Sequence, residues 1–385
     1  MRPLLIGTLS ALLCAALAPP RAATAEALYL GADLSFANEM EDCGGHYREH
    51  GQDRDIFEML HAHGANLVRV RLWNHATWTK YSNLEDVSKT IRRARAAGMQ
   101  VLLDFHYSDD WADGDKQIIP AAWSSIQDPQ ELAQALYQYT FDTLSTLKQA
   151  GLMPDMVQVG NEINQELLGT ADWGAKKRPI DWPRNALLIN AGIRAIRDAG
   201  ADASPKPLVM LHIAQPENVA PWLAEAVHAG VRDFDLVGIS YYSKWSKYSF
   251  AGLGTTLKWL VQHYRARFLV AETGYPWTLD GADASPNLLG QDALIAGYPA
   301  TPAGQRQYMI DLTQTVVSNG GIGVIYWAPD WISTSCKTRW GQGSSWENAT
   351  FFDFHHRDEL LPVADFLNHT YVFPAPADAP AFGKP

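Results

Sequence analysis

The sequence predicts a single (β/α)8 barrel with long βα loops at its catalytic face. Eight short apolar runs, each closed by turn residues, alternate with longer segments of helical period. The length of 385 residues suits one such barrel with extended loops. Two of the runs, Met156-Val157-Gln158-Val159-Gly160-Asn161-Glu162 and Phe268-Leu269-Val270-Ala271-Glu272-Thr273-Gly274, end in a glutamate. A parallel barrel gathers its strand ends on one face, so the two acids would meet there.

Taken in order, residues 1–25 read as a signal peptide. Met1-Arg2 precedes an apolar run from Leu4 to Ala18, and Ala23-Thr24-Ala25 offers a small-residue cleavage site. The run is too short to span a membrane comfortably. The barrel domain then occupies residues 26–370, and a Pro- and Ala-rich tail, expected to be extended or disordered, occupies 371–385. Strand one is Leu28–Asp33, followed by a loop from Ser35 to Gly51 and a helix over Asp53–His63 that stops at Gly64. Strand two is Asn66–Leu72, with a helix over Leu84–Ala97 ended by Gly98. Strand three is Gln100–His106, with a helix over Pro129–Ala150 ended by Gly151. Strand four leads to Glu162, and its helix is Trp182–Ala199. Strands five and six are Leu208–Ile213 and Leu236–Tyr241, with helices over Asn218–Ala229 and Thr255–Tyr264. Strand seven carries Glu272; a loop from Tyr275 to Ala300 precedes a helix over Thr301–Ser318. Strand eight is Gly323–Trp327, and a polar, aromatic segment from Asp330 to Asp353 leads to the last helical turns. No second domain interrupts this rhythm.

Composition narrows the function. At 47% hydrophobic and 19% charged residues the chain can bury a full core, and 14 Trp suit the stacking of sugar faces. The formal net charge is −11, and removing the leader takes Arg2 and Arg21 and no acid, which makes it −13. Such a charge argues against nucleic acid and anionic membrane as partners and fits a neutral substrate. Outside the leader, Cys43 and Cys336 are the two cysteines, and export would allow them to pair. No spacing of His and Cys suggests zinc, and no glycine-rich phosphate loop follows any strand, so no cofactor is required.

The residues with chemistry cluster at strand ends. Two carboxyls so placed could flank a glycosidic bond, one as acid and one as nucleophile. Asp104, His106 and Trp111 follow from strand three and suit sugar hydroxyls and a stacking platform. Arg69 and Arg71 share one face of strand two, and Arg71 is assigned as the cation that keeps a carboxylate ionised. Asn161 precedes Glu162 and could hydrogen-bond a ring hydroxyl. Tyr241 and Tyr242 end strand six; one of them could orient Glu272, and the sequence does not decide which. Trp327 ends strand eight and could floor the site. The Asp280-Gly281-Ala282-Asp283 loop could hold calcium through oxygen ligands as a structural ion, with a solvated turn as the alternative.

Six segments in this order carry a family resemblance: Val68-Arg69-Val70-Arg71-Leu72-Trp73, Asp104-Phe105-His106-Tyr107-Ser108, Val159-Gly160-Asn161-Glu162-Ile163-Asn164, Ile239-Ser240-Tyr241-Tyr242, Glu272-Thr273-Gly274-Tyr275 and Trp340-Gly341-Gln342-Gly343-Ser344-Ser345-Trp346. Together they resemble the endo-β-1,4-galactanases of glycoside hydrolase family fifty-three, in clan A of retaining barrel enzymes, over roughly residues 28–366. The resemblance implies Glu162 as acid/base, Glu272 as nucleophile and a β-1,4-galactan substrate. It also implies a calcium set of Asp280, Asp283 and Asn287, although Ser285 stands where a His is expected. A secreted monomer, extracellular or periplasmic, is the simplest expectation. Two readings stand beside it: another clan A glycanase acting on mannan, xylan or glucan, and a barrel that binds glycan without cutting it.

Overall fold

The computed structural model describes residues 28–339 and 341–374. The expected leader, residues 375–385 of the expected tail, and Trp340 lie outside the described residues. Eight parallel strands close into a barrel, each paired with its sequence neighbours. They are β1 (Tyr29–Asp33), β2 (Leu67–Leu72), β3 (Gln100–Phe105), β4 (Met156–Val159), β5 (Leu208–Ala214), β6 (Leu236–Ser240), β7 (Arg267–Glu272) and β8 (Gly323–Tyr326). Seven α-helices cover it: α1 (Ile56–Ala62), α2 (Leu84–Ala96), α3 (Pro129–Gln149), α4 (Trp182–Ala199), α5 (Pro216–His228), α6 (Phe250–His263) and α7 (Pro302–Ser318). The eighth outer position is a 3₁₀ helix, Pro362–Leu367, against α7.

Local chemistry explains the ends. Asp55 accepts from the backbone N–H groups of Phe57 and Glu58, which is why α1 starts later than the sequence suggests. Asp128-Pro129 and Thr301-Pro302 each place a capping side chain before a proline that needs no donor. Pro216 opens α5 earlier than the sequence suggests, as a first-turn proline needing no donor, with no side-chain cap from Gln215. Gly64 ends the first helical segment with φ +105, and a Cβ there would meet the carbonyl oxygen of Leu367 at 2.5 Å. Several loop features escape the strand–helix pattern, among them a short helix, Ala37–Asp42, a two-stranded ribbon of Gln117–Ile118 with Thr170–Ala171, and a four-stranded sheet joining Arg48–Glu49 and Gln52–Asp53 to Phe352–Asp353 and Glu359–Leu360.

The barrel interior has two storeys. Leu67, Leu102, Met156, Met210, Leu236, Leu269, Ala271 and Ile325 form an apolar floor. Two residues further along four of these strands, on the same inward face, come Arg69, Asp104, Gln158 and His212, all buried. The second storey is therefore polar and charged, and every group in it needs a partner. It is the base on which the site rests.

Candidate active site

Two backbone irregularities aim the glutamates. Leu269 and Ala271 face inward, so strict alternation would turn Glu272 outward against the helices. The pairing of β6 with β7 slips by one residue there, Ile239 opposite Val270 but Ser240 opposite Glu272, and this bulge turns Glu272 inward. After β4 the chain turns through Gly160 (φ +75) and Glu162 itself (φ +45). A Cβ on Gly160 would come within 2.5 Å of Ile163 Cγ2. The left-handed backbone at Glu162 is costly for a side chain of this size, and the turn is pinned to β5. Ile163 N–H donates to the His212 carbonyl at 2.8 Å, and Asn164 bridges Ala214 through both its amide atoms at 2.7 and 2.9 Å.

Arg69 organises the charged storey. Its guanidinium lies 2.9 Å from Asp33, 2.8 Å from Asp104 and 2.7 Å from Glu272 Oε1. It also donates to Gln158 Oε1 at 3.2 Å and Asn161 Oδ1 at 2.7 Å. Tyr242 O–H donates to the other Glu272 oxygen at 3.2 Å. His106 contacts Asp104 through Nε2 at 3.1 Å and accepts from Ala112 N–H on Nδ1. Asn161 is buried, and its Nδ2 donates to the Ala112 carbonyl at 2.8 Å.

The cation on Glu272 is thus Arg69, not the Arg71 assigned from the sequence. Both point inward, but Arg69 pairs in register with Asp33 while Arg71 lies one step nearer the mouth. There Arg71 lies under aromatic rings: its guanidinium carbon is 4.2 Å from the Phe36 ring centroid and 4.3 Å from Trp111, and Nε donates to Ser82. Burial lowers its pKa from the usual arginine value. Tyr241 also leaves the expected set. It points away from the barrel axis, donates to the Tyr248 carbonyl at 2.9 Å and packs on Phe250, as alternation between Ser240 and Tyr242 requires.

Glu162 is partly open to the cleft. Gly114 N–H donates to its Oε2 at 3.0 Å, and the Ser240 hydroxyl donates to its Oε1. His212 Nε2 lies 2.9 Å from the Ser240 oxygen. Burial and the nearby Arg69 push the His212 pKa well below the ordinary value, so the ring is neutral. Desolvation lifts the Glu162 carboxyl to about 7. Desolvation also lifts Glu272, to about 8, with Arg69 opposing the rise and the charges of Glu162, Asp33 and Asp104 adding to it. Taken alone, these rises would leave a shared proton on Glu272. The contacts favour the opposite order. A guanidinium at 2.7 Å and a phenol O–H both stabilise the charged form of Glu272, whereas Glu162 has one hydroxyl and one backbone N–H. The cleft therefore offers one carboxyl that can carry a proton beside one held ionised.

Aromatic walls complete the cleft. Trp111 and Trp327 meet edge to face at 5.9 Å, and Trp327 packs on Trp346 at 4.7 Å. Trp346 is fully buried and Trp331 stacks on Phe36 at 4.3 Å, so those two are packing. Cys43 and Cys336 form a disulfide with Cα atoms 5.5 Å apart, tying the loop after β1 to the loop after β8. Of the expected calcium ligands Asp280 stands apart, whereas Asn287 Oδ1 and Oε2 of the adjoining Glu347 are buried without a hydrogen-bond partner among the described residues. Asp280 is exposed and faces His355, Asp283 accepts from Ser285, Ser333 and Ser344, and Asn287 donates to Glu347. Among the described residues no group of three or more His, Cys, Asp or Glu side chains could hold a metal. Asp33, Gln158, His212 and Ser240 were not singled out from the sequence. For Gln158 and His212 the signal is a polar residue two steps beyond an inward apolar one, Met156 and Met210.

The chain matches the model of Glycosyl hydrolase family 53 over residues 29–367. It is 50% identical over 369 residues to an arabinogalactan endo-beta-1,4-galactanase of Cellvibrio japonicus, covering 96% of this chain and 98% of that protein. It is 35% identical over 321 residues to an endo-beta-1,4-galactanase of Bacillus subtilis, covering 80% and 71%. Among solved structures, the Ignisphaera aggregans GH53 catalytic domain superposes with a TM-score of 0.80 at 32% identity, covering 90% and 96%.

Proposed function

Because the chain belongs to glycosyl hydrolase family 53, we propose that it cleaves β-1,4-galactosidic bonds within galactan and type I arabinogalactan, with retention of anomeric configuration. The observation that carries the mechanism is the asymmetry of the two carboxyls around Arg69. Glu162 donates its proton to the leaving oxygen, and Glu272 attacks the anomeric carbon to form a glycosyl-enzyme. Water, deprotonated by Glu162, then releases the sugar. Tyr242 stays protonated, its pKa pushed up by burial and by the charge of Glu272, and it keeps the nucleophile oriented. Trp111 and Trp327 offer faces to the sugar rings. Neither step draws on a metal. The leader-like segment before residue 26 and the Cys43–Cys336 disulfide support export, and one chain supplies the whole site, as a monomer would.

The test is hydrolysis of linear β-1,4-galactan followed by proton NMR, with EDTA present throughout. New reducing ends are expected to appear first as the β-anomer and to mutarotate later. Initial α-product would overturn the double displacement. Activity on mannan, xylan or glucan but not galactan would overturn the substrate, and loss of activity in EDTA would overturn the metal-free reading.

The pH profile follows from the raised Glu162 carboxyl. Glycosylation needs this group protonated, so kcat/KM on galactan should fall as pH rises through about 7. Glu162→Ala should lose that alkaline limb on a dinitrophenyl β-galactobioside, whose leaving group needs no proton. A limb that survives the substitution would assign the acid to another residue.

A further inference from the structure

Trp173, on the loop after β4, is 53% exposed, yet its ring is not free to turn. Its indole N–H donates to Asp113 Oδ2 at 2.6 Å. The Lys116 ammonium sits 4.1 Å from the ring centroid and is itself held by Asp110 at 3.1 Å, inside a buried side chain. One face of the indole is thus covered, and the exposed area belongs to the opposite face and the rim. Exposing a large apolar ring to water is unfavourable, and fixing its orientation costs further entropy. A space-filling tryptophan needs neither.

The platform is built against the acid. Gln117–Ile118 in the loop after β3 pairs antiparallel with Thr170–Ala171 in the loop after β4, and Lys177 bonds Asp115 at 2.6 Å. The two loops are thereby one unit. Within it, Asp113 holds the indole, and the next residue, Gly114, donates its N–H to Glu162 Oε2 at 3.0 Å. Of the two carboxyls, Glu162 is the one that faces the departing sugar.

We infer that Trp173 is a stacking platform for a galactosyl residue on the leaving-group side of the scissile bond, positioned relative to Glu162 by the Asp113–Gly114 step. β-Galactopyranose presents a patch of C–H bonds on one face, because its axial oxygen lies on the other, and such a patch stacks on an open indole face. This inference rests on the glycosidase reading above and adds a residue that fixes how the polymer is gripped beyond the cut.

Two substrates separate the sides of the cleft. Galactotetraose fills leaving-group subsites, whereas β-galactobiosyl fluoride leaves as fluoride and fills none. For Trp173→Ala the ratio of kcat/KM on galactotetraose to that on the fluoride is expected to fall about tenfold, the weight of one aromatic stacking contact. Trp173→Phe, which keeps a ring without the bond to Asp113, should lose less. An unchanged ratio in both variants would overturn the assignment, as would an equal loss on both substrates. A wild-type protein that cuts neither substrate would instead refute the galactanase reading.

Discussion

Glu272→Gln is expected to abolish galactan hydrolysis, lowering kcat by about four orders of magnitude or more, because an amide cannot form the glycosyl-enzyme. The substitution is nearly isosteric. Its amide oxygen can still accept from Arg69, now 2.7 Å from Oε1, so the fold should persist. Reducing-sugar release checks the loss, and a thermal melt close to that of wild type checks that the fold persists. Residual activity within tenfold of wild type would place the nucleophile elsewhere.

Much of this site was legible in the sequence, for a reason of geometry. The parallel strands are buried on both faces, so they read as apolar runs, and each ends where a turn residue meets a polar one. Glu162 and Glu272 could be named because each closes such a run. Depth could not be read. Arg69 and Arg71 share a face by alternation, and only the register opposite Asp33 puts Arg69 level with the carboxylates. The orientation of Glu272 rests on a one-residue bulge that leaves no mark in its own strand. Tyr242 rather than Tyr241 reaches Glu272 because Ser240 faces inward, onto Glu162, and side chains alternate from it. Contacts between loops were least legible. The pairing of Gln117–Ile118 with Thr170–Ala171 and the grip of Asp113 on Trp173 depend on two loops that meet only in three dimensions.

Arg69→Met should be the most damaging single change to the fold. The guanidinium is 1% exposed and serves Asp33, Asp104 and Glu272 together, so its loss strands three buried carboxylates. Breaking a buried ion pair from one side costs about 3–5 kcal/mol, and here one cation serves three anions. The deficit should depend on pH in a way that simple loss of packing would not. As pH falls, the stranded carboxylates can take up protons, and the neutral acids are far cheaper to bury. Denaturant unfolding of the wild type and the variant at pH 5 and pH 8 is thus expected to show the smaller gap at pH 5. Arg69→Lys keeps one charge but cannot reach three partners with a planar fork, so it should fall between them. Activity should follow the same logic, since a Glu272 without its cation takes up a proton and stops being a nucleophile at higher pH than in the wild type. A gap of equal size at both pH values would mean that Arg69 acts by filling space, and the asymmetry that assigns the two glutamates would lose its cause.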